Sequence, residues 1–135
     1  MISEVMALPK PLVSFAELDD AVAAGLPKSS LRAVVATLFT DPAARTEFLY
    51  RLVPEATFKR RKEVLSHEES QRAERLARVV ATAQHVLGSD AGAREFLVQS
   101  HPQLNEKRPI EVATSELGAR RIEQLLWGLF YGLPV

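Results

Sequence analysis

Apolar residues recur at helical spacing along almost the whole chain, and no run alternates with period two. The clearest stripe is Leu31, Val34, Val35, Leu38 and Phe39, at offsets 0, 3, 4, 7 and 8. Before it, Phe15, Leu18 and Val22 predict a shorter helix that Ser14 caps and Gly25 ends, with Leu26-Pro27 as the break. Asp41-Pro42 joins an N-cap to a proline at the first helical position, and opens a third helix carrying Phe48, Leu49 and Leu52. A fourth is expected from near Pro54, running Ala56 to Leu65. Ser66 and Glu69 form a capping box ahead of the longest helix. There Leu76, Val79, Val80, Ala83, Val86 and Leu87 keep one face until Gly88. Asp90 is expected to cap a helix over 91–99, and the polar stretch 100–108 reads as a loop. Pro109 starts a short helix, and Thr114 or Ser115 caps the last, which runs to Tyr131. The expectation is an all-α protein: a small helix-turn-helix-like N-terminal domain packed against a helical C-terminal one. Pro9 and Pro11 predict an extended arm over 1–13, flexible until something binds it.

Composition sharpens this picture in three places. The 135 residues, 47% hydrophobic, suffice for an ordinary globular core. The absence of cysteine excludes a disulfide framework, a zinc ribbon and a thiolate nucleophile. No stretch approaches the 18 or so apolar residues of a membrane span, and the N-terminus lacks a signal peptide's basic and apolar regions, so a cytoplasmic setting is expected. The 17 basic and 17 acidic residues cancel overall but not locally. Residues 54–65 hold four basic and two acidic side chains, while 1–53 and 66–135 are each slightly acidic. Neutrality therefore excludes indiscriminate coating of nucleic acid, but not a local basic patch.

Catalytic patterns are incomplete. His67-Glu68 begins like a zinc-protease motif, but Gln71 stands where the second histidine belongs. His85 and His101 have no ligand spacing. Lys28-Ser29 lacks the glycines of a phosphate-binding loop, with Pro27 in the first one's place. No metal, no cofactor and no enzymatic activity are expected.

Two binding readings remain. The third helix, the link Leu52-Val53-Pro54 and the basic fourth helix have the layout of a helix-turn-helix. Thr57, Lys59 and Arg60 would then reach DNA, with Arg61 and Lys62 nearer the backbone; the alternative is a solvated charged face. In the last helix Ile122, Leu125, Leu126, Leu129 and Phe130 fill one stripe, with Trp127 and Tyr131 roughly opposite. A helix apolar all round is buried on both sides, either within the chain or against a partner. Gly118 and Gly128 each cost such a helix roughly 0.8–1 kcal/mol against alanine, which suits a site of close approach.

A resemblance bears on this choice. Leu65-Ser66 with Glu68-Glu69-Ser70, Arg75-Leu76-Ala77-Arg78-Val79, Ala93-Arg94-Glu95-Phe96-Leu97, Arg108-Pro109-Ile110-Glu111 and Glu116 to Glu123 (ELGARRIE) occur in the order seen in the Xre/MbcA/ParS antitoxins. The ending Tyr131-Gly132-Leu133-Pro134 is similar to members paired with RES-domain toxins. The likeness covers 57–135, and the first half resembles, less closely, the Xre-type helix-turn-helix domain. Two positions depart from the pattern: Leu52-Val53-Pro54-Glu55 lacks the turn glycine and brings an acid toward DNA, and Asn105-Glu106-Lys107 lacks a glycine before Arg108-Pro109.

After the arm over 1–13, the resemblance implies a DNA-binding domain over 14–65 and a toxin-binding and dimerisation domain over 66–135. It further implies a homodimer that neutralises a RES-domain, NAD-degrading toxin and binds the promoter DNA of its own operon. In the family the antitoxin's end lies at the mouth of the toxin's NAD pocket, which points to Tyr131, Gly132, Leu133, Pro134 and Val135 beside Trp127. A terminal carboxylate on Val135 would suit cations that hold NAD phosphates. A dimeric DNA-binding regulator with no toxin-blocking role, or an adaptor without DNA contact, is the competing expectation.

Overall fold

The computed structural model describes residues 2–8 and 14–132. Its helices are α1 (Ile2–Val5), α2 (Phe15–Ala24), α3 (Lys28–Leu38), α4 (Pro42–Leu52), α5 (Glu55–Arg60), α6 (His67–Leu87), α7 (Asp90–Val98), α8 (Pro109–Val112) and α9 (Glu116–Phe130), with a 3₁₀ turn at Pro102–Leu104. The all-α expectation holds: among the described residues the only β-type pairings are two isolated bridges.

Local chemistry sets the helix ends. The side chains of Ser14, Asp41 and Ser115 accept from the backbone N–H three residues on. Ser66 does the same for Glu69, whose carboxylate accepts the Ser66 N–H in return. Gly25 and Gly88 end α2 and α6 with φ of 98° and 77°, as anticipated. One cap differs: Ser89, not Asp90, accepts from Gly92, and Asp90 is the first helical residue. The loop before Pro109 needs no glycine, because Asn105 takes the left-handed conformation, at φ 55°, as does Glu106.

α6 is the spine, touched by α1, α2, α3, α7 and α9. Its Ala73, Leu76, Ala77, Val79, Val80 and Ala83 are buried in one core with Leu31, Val34 and Leu38 of α3 and Ile122 and Leu126 of α9. The expected extended arm is corrected over its first part: residues 2–5 are helical, and Val5 and Met6 lie in that core, 5% and 0% exposed. Two adjacent apolar side chains draw the segment onto α6 and α3. Pro9 and Pro11 lie outside the described residues.

The fourth helix is also shorter than expected. It ends at Arg60, because 61–65 turn back alongside 25–28. The Lys28 N–H donates to the Glu63 carbonyl and the Leu65 N–H to the Leu26 carbonyl, each at 2.8 Å, and the Leu26 N–H donates to Ser70 Oγ at 2.9 Å. A side chain at Gly25 would stand 2.9 Å from the Leu65 carbonyl oxygen, so this crossing requires glycine.

α6 and α9 are joined by charge as well as by apolar packing. Arg78 contacts Glu123 at 2.6 Å, Glu116 at 3.1 Å and Glu74 at 3.3 Å, and Arg75 reaches Glu116 at 3.2 Å. Burial raises the Glu74 carboxyl above its ordinary value, helped by Glu116 and Glu123 against the pull of Arg78. For Glu69, burial acts upward but is outweighed by Arg61 and Ser66; for Glu116 the same burial is outweighed by Arg78 and Arg75, so both lie low. Arg108 lowers Glu111. A carboxyl lowered in the folded state stabilises above its unfolded pKa, and that gain is lost as pH falls through the folded value. Glu74 runs the other way, its contribution being lost as pH rises. With three against one, urea midpoints should fall on acidification below the usual glutamate range. Glu69→Gln keeps the cap but not the charge, so its deficit should narrow toward acid pH; a constant deficit would assign the Arg61 pair no electrostatic role.

Candidate functional site

The α4–α5 unit has helix-turn-helix form, and its turn explains the missing glycine. Val53 (φ −135°) and Pro54 (φ −52°) both have negative φ, so no left-handed residue is required. Val53 is fully buried, and Arg72 of α6 donates to the Leu52 carbonyl at 2.9 Å, satisfying the end of α4. Phe58 anchors α5 inward, 1% exposed, with the Tyr50 ring edge-on at 6.2 Å. That leaves Glu55, Ala56, Lys59 and Arg60 exposed and Thr57 half-buried.

The basic run is divided by this geometry. Lys59 and Arg60 lie in the last turn of α5, Arg61 caps it, and Lys62 follows in a bend. Lys59 contacts Glu55 at 2.7 Å, and this hydrogen bond and charge raise its pKa. Arg61 grips Glu69 with two nitrogens, Nε at 3.0 Å and a terminal nitrogen at 3.2 Å, inside the capping box of α6. It is therefore a structural residue first. Arg60 and Lys62 are exposed, with no acidic partner among the described residues. The sequence reading missed Lys28 and Arg32 of α3, whose cationic groups stand 4.4 and 4.9 Å from the Phe58 ring centroid. They lie 30 and 26 positions before Phe58 in sequence, and no local pattern links them to it.

A second surface closes the other end. Ile122 and Leu126 of α9 are buried as the stripe predicts, but Leu129 and Phe130 are 41% and 48% exposed. With Trp127 at 36% and Tyr131 at 69%, the aromatic side chains at the end of α9 are left uncovered by the described residues. Phe130 meets Trp127 at 5.4 Å and Tyr131 at 5.2 Å, both edge-on. His85, from the end of α6, stacks on Phe130 at 5.5 Å, a contact that its spacing in sequence does not show. Trp127, Gly128 and Tyr131 wall a shallow depression of about 420 Å³ with Arg120, Glu123 and Gln124. Gly132 is left-handed at φ 69°, and Leu133, Pro134 and Val135 lie outside the described residues.

The comparisons with known proteins divide the chain in two. Residues 17–78 match the antitoxin Xre-like helix-turn-helix domain, and 82–132 match the antitoxin Xre/MbcA/ParS C-terminal toxin-binding domain. The chain carries both domains of an Xre-type antitoxin. No curated protein matches it. The uncovered end of α9 lies within the antitoxin's toxin-binding span, and α4–α5 lies within its helix-turn-helix span.

The geometry also explains several motif residues of this antitoxin. Arg75, Arg78, Glu116 and Glu123 are the ion pairs between α6 and α9. Arg108 contacts Glu111 at 2.6 Å, and Arg94 reaches the Thr37 carbonyl at 3.3 Å. Those motifs build the scaffold that presents the two faces. Among the described residues no cluster of three metal-ligating side chains occurs, and no helix is long and apolar enough to cross a membrane.

Proposed function

We propose that this antitoxin neutralises a RES-domain, NAD-degrading toxin by seating its C-terminal region over the toxin's active site. We further propose that it acts as a homodimer that represses its own operon through α4–α5, and that it works by binding rather than by catalysis. The observation that carries the toxin reading is the uncovered aromatic end of α9. Trp127, Phe130 and Tyr131 touch one another with Leu129 exposed on the same turn, and such an apolar patch marks a protein contact. Tryptophan and tyrosine are the side chains that most often dominate such contacts, each costing about 2 kcal/mol or more on truncation. The residues beyond Gly132 would continue this face into the pocket, and a proline there limits the entropy lost on ordering.

The test is co-expression with the toxin encoded beside it, read as colony growth. Removing Leu133 to Val135 should abolish protection while the truncated protein still accumulates and melts normally. Trp127→Ala should weaken protection and reduce affinity roughly 30-fold, the equivalent of about 2 kcal/mol. Full protection by the truncated protein would reject active-site blocking and leave a DNA-binding regulator.

A further inference from the structure

We infer that Lys28 and Arg32 of α3 belong to the phosphate-binding surface of this protein, and that they supply charge which α5 alone does not present. The inference rests on the DNA-binding role of α4–α5. Around Phe58 the chain gathers six cations, Lys28, Arg32, Lys59, Arg60, Arg61 and Lys62, and three acids, Glu55, Glu63 and Glu69. Two of the acids are committed, Glu55 to Lys59 and Glu69 to Arg61. Lys59 and Arg61, two of the cations at the end of α5 that sequence alone favours, are thus partly neutralised.

Lys28 and Arg32 differ in kind. Neither has an acidic partner among the described residues: Lys28 Nζ donates to the Arg61 carbonyl at 3.1 Å, and Arg32 is exposed. One helical turn apart on α3, both are held against the ring that anchors α5. A cation resting on an aromatic ring keeps its full charge and loses little further freedom on meeting a phosphate. A surface of Lys28, Arg32, Arg60 and Lys62 joins two helices that a duplex backbone would bridge, and phosphate contacts of this kind fix register rather than sequence.

The experiment is a salt series of fluorescence anisotropy, using the intact protein and a labelled duplex of the DNA upstream of its own reading frame. Each lost phosphate contact lowers the slope of log K against log salt by about 0.9. Arg32→Gln should lower it by about 0.9, and Lys28→Gln with Arg32→Gln by about 1.8, whereas Arg32→Lys should keep the wild-type slope. Arg121→Gln, on α9, serves as the unchanged control. A wild-type slope for Arg32→Gln, or an Arg32→Lys as weak as Arg32→Gln, overturns the inference by making Arg32 a packing residue. Absence of DNA binding by the wild-type protein overturns the DNA reading beneath it, and is seen separately.

Discussion

Phe58→Ala is expected to cost about 3–5 kcal/mol of folding stability, the range for emptying a buried aromatic site. The side chain is 1% exposed, and three side chains from two other helices meet on it: Tyr50 from α4, and Lys28 and Arg32 from α3. α5 has only six residues and cannot hold itself helical, since a helix below about 12 residues is marginal without tertiary packing. Removing its one buried anchor therefore releases the whole of α5 together with the cations resting on the ring. Urea unfolding measures the loss, which corresponds to a Tm lower by roughly 10–20 °C. Phe58→Leu, which retains most of the volume, should recover most of it. A loss below about 1 kcal/mol for the alanine variant would mean that α5 docks through other contacts.

Gly118→Ala is expected to destabilise, although the same change in an ordinary helix interior gains roughly 0.8–1 kcal/mol. The added Cβ would lie 1.7 Å from the Val112 carbonyl oxygen and 2.8 Å from its carbonyl carbon. Both are backbone atoms of α8 and cannot swing aside, so α8 or α9 must move. Overpacking of this kind costs about 1–3 kcal/mol, and of the two helices α9 is the one that carries Trp127. Calorimetry decides the sign: a raised Tm would mean that α8 gives way freely. The close approach that Gly118 suggests in sequence is thus made within the chain, by Val112 rather than by a partner.

Much of the fold was legible because helix ends are written in local chemistry. Ser14, Gly25, Asp41-Pro42, the Ser66–Glu69 box and Gly88 act within three or four residues of themselves, and all do as their types require. What escaped depends on distant partners. Nothing near Arg61 shows that α5 stops there, because the segment after it is stripped from the helix by hydrogen bonds to Leu26 and Lys28. Val5 and Met6 are too short an apolar run to read, yet α6 and α3 give them a place to bury. The candidate site was legible in the same proportion. The apolar character of the last helix is plain in its periodicity, but periodicity does not say which turns a neighbour covers. Only the packing separates buried Ile122 and Leu126 from exposed Leu129 and Phe130. Likewise the basic run is visible, whereas its neutralisation by Glu55 and Glu69, and its reinforcement by Arg32, are properties of the folded surface.

The two matched spans meet inside α6, between residues 78 and 82, where no break interrupts the helix. Buried side chains on both sides of that point belong to one core. The helix-turn-helix and toxin-binding domains therefore have no hinge between them and share one lifetime. A protease that engages the chain through any opening of α6 removes both domains together, so under the proposed function the release of a toxin and the clearing of a promoter would follow a single clock.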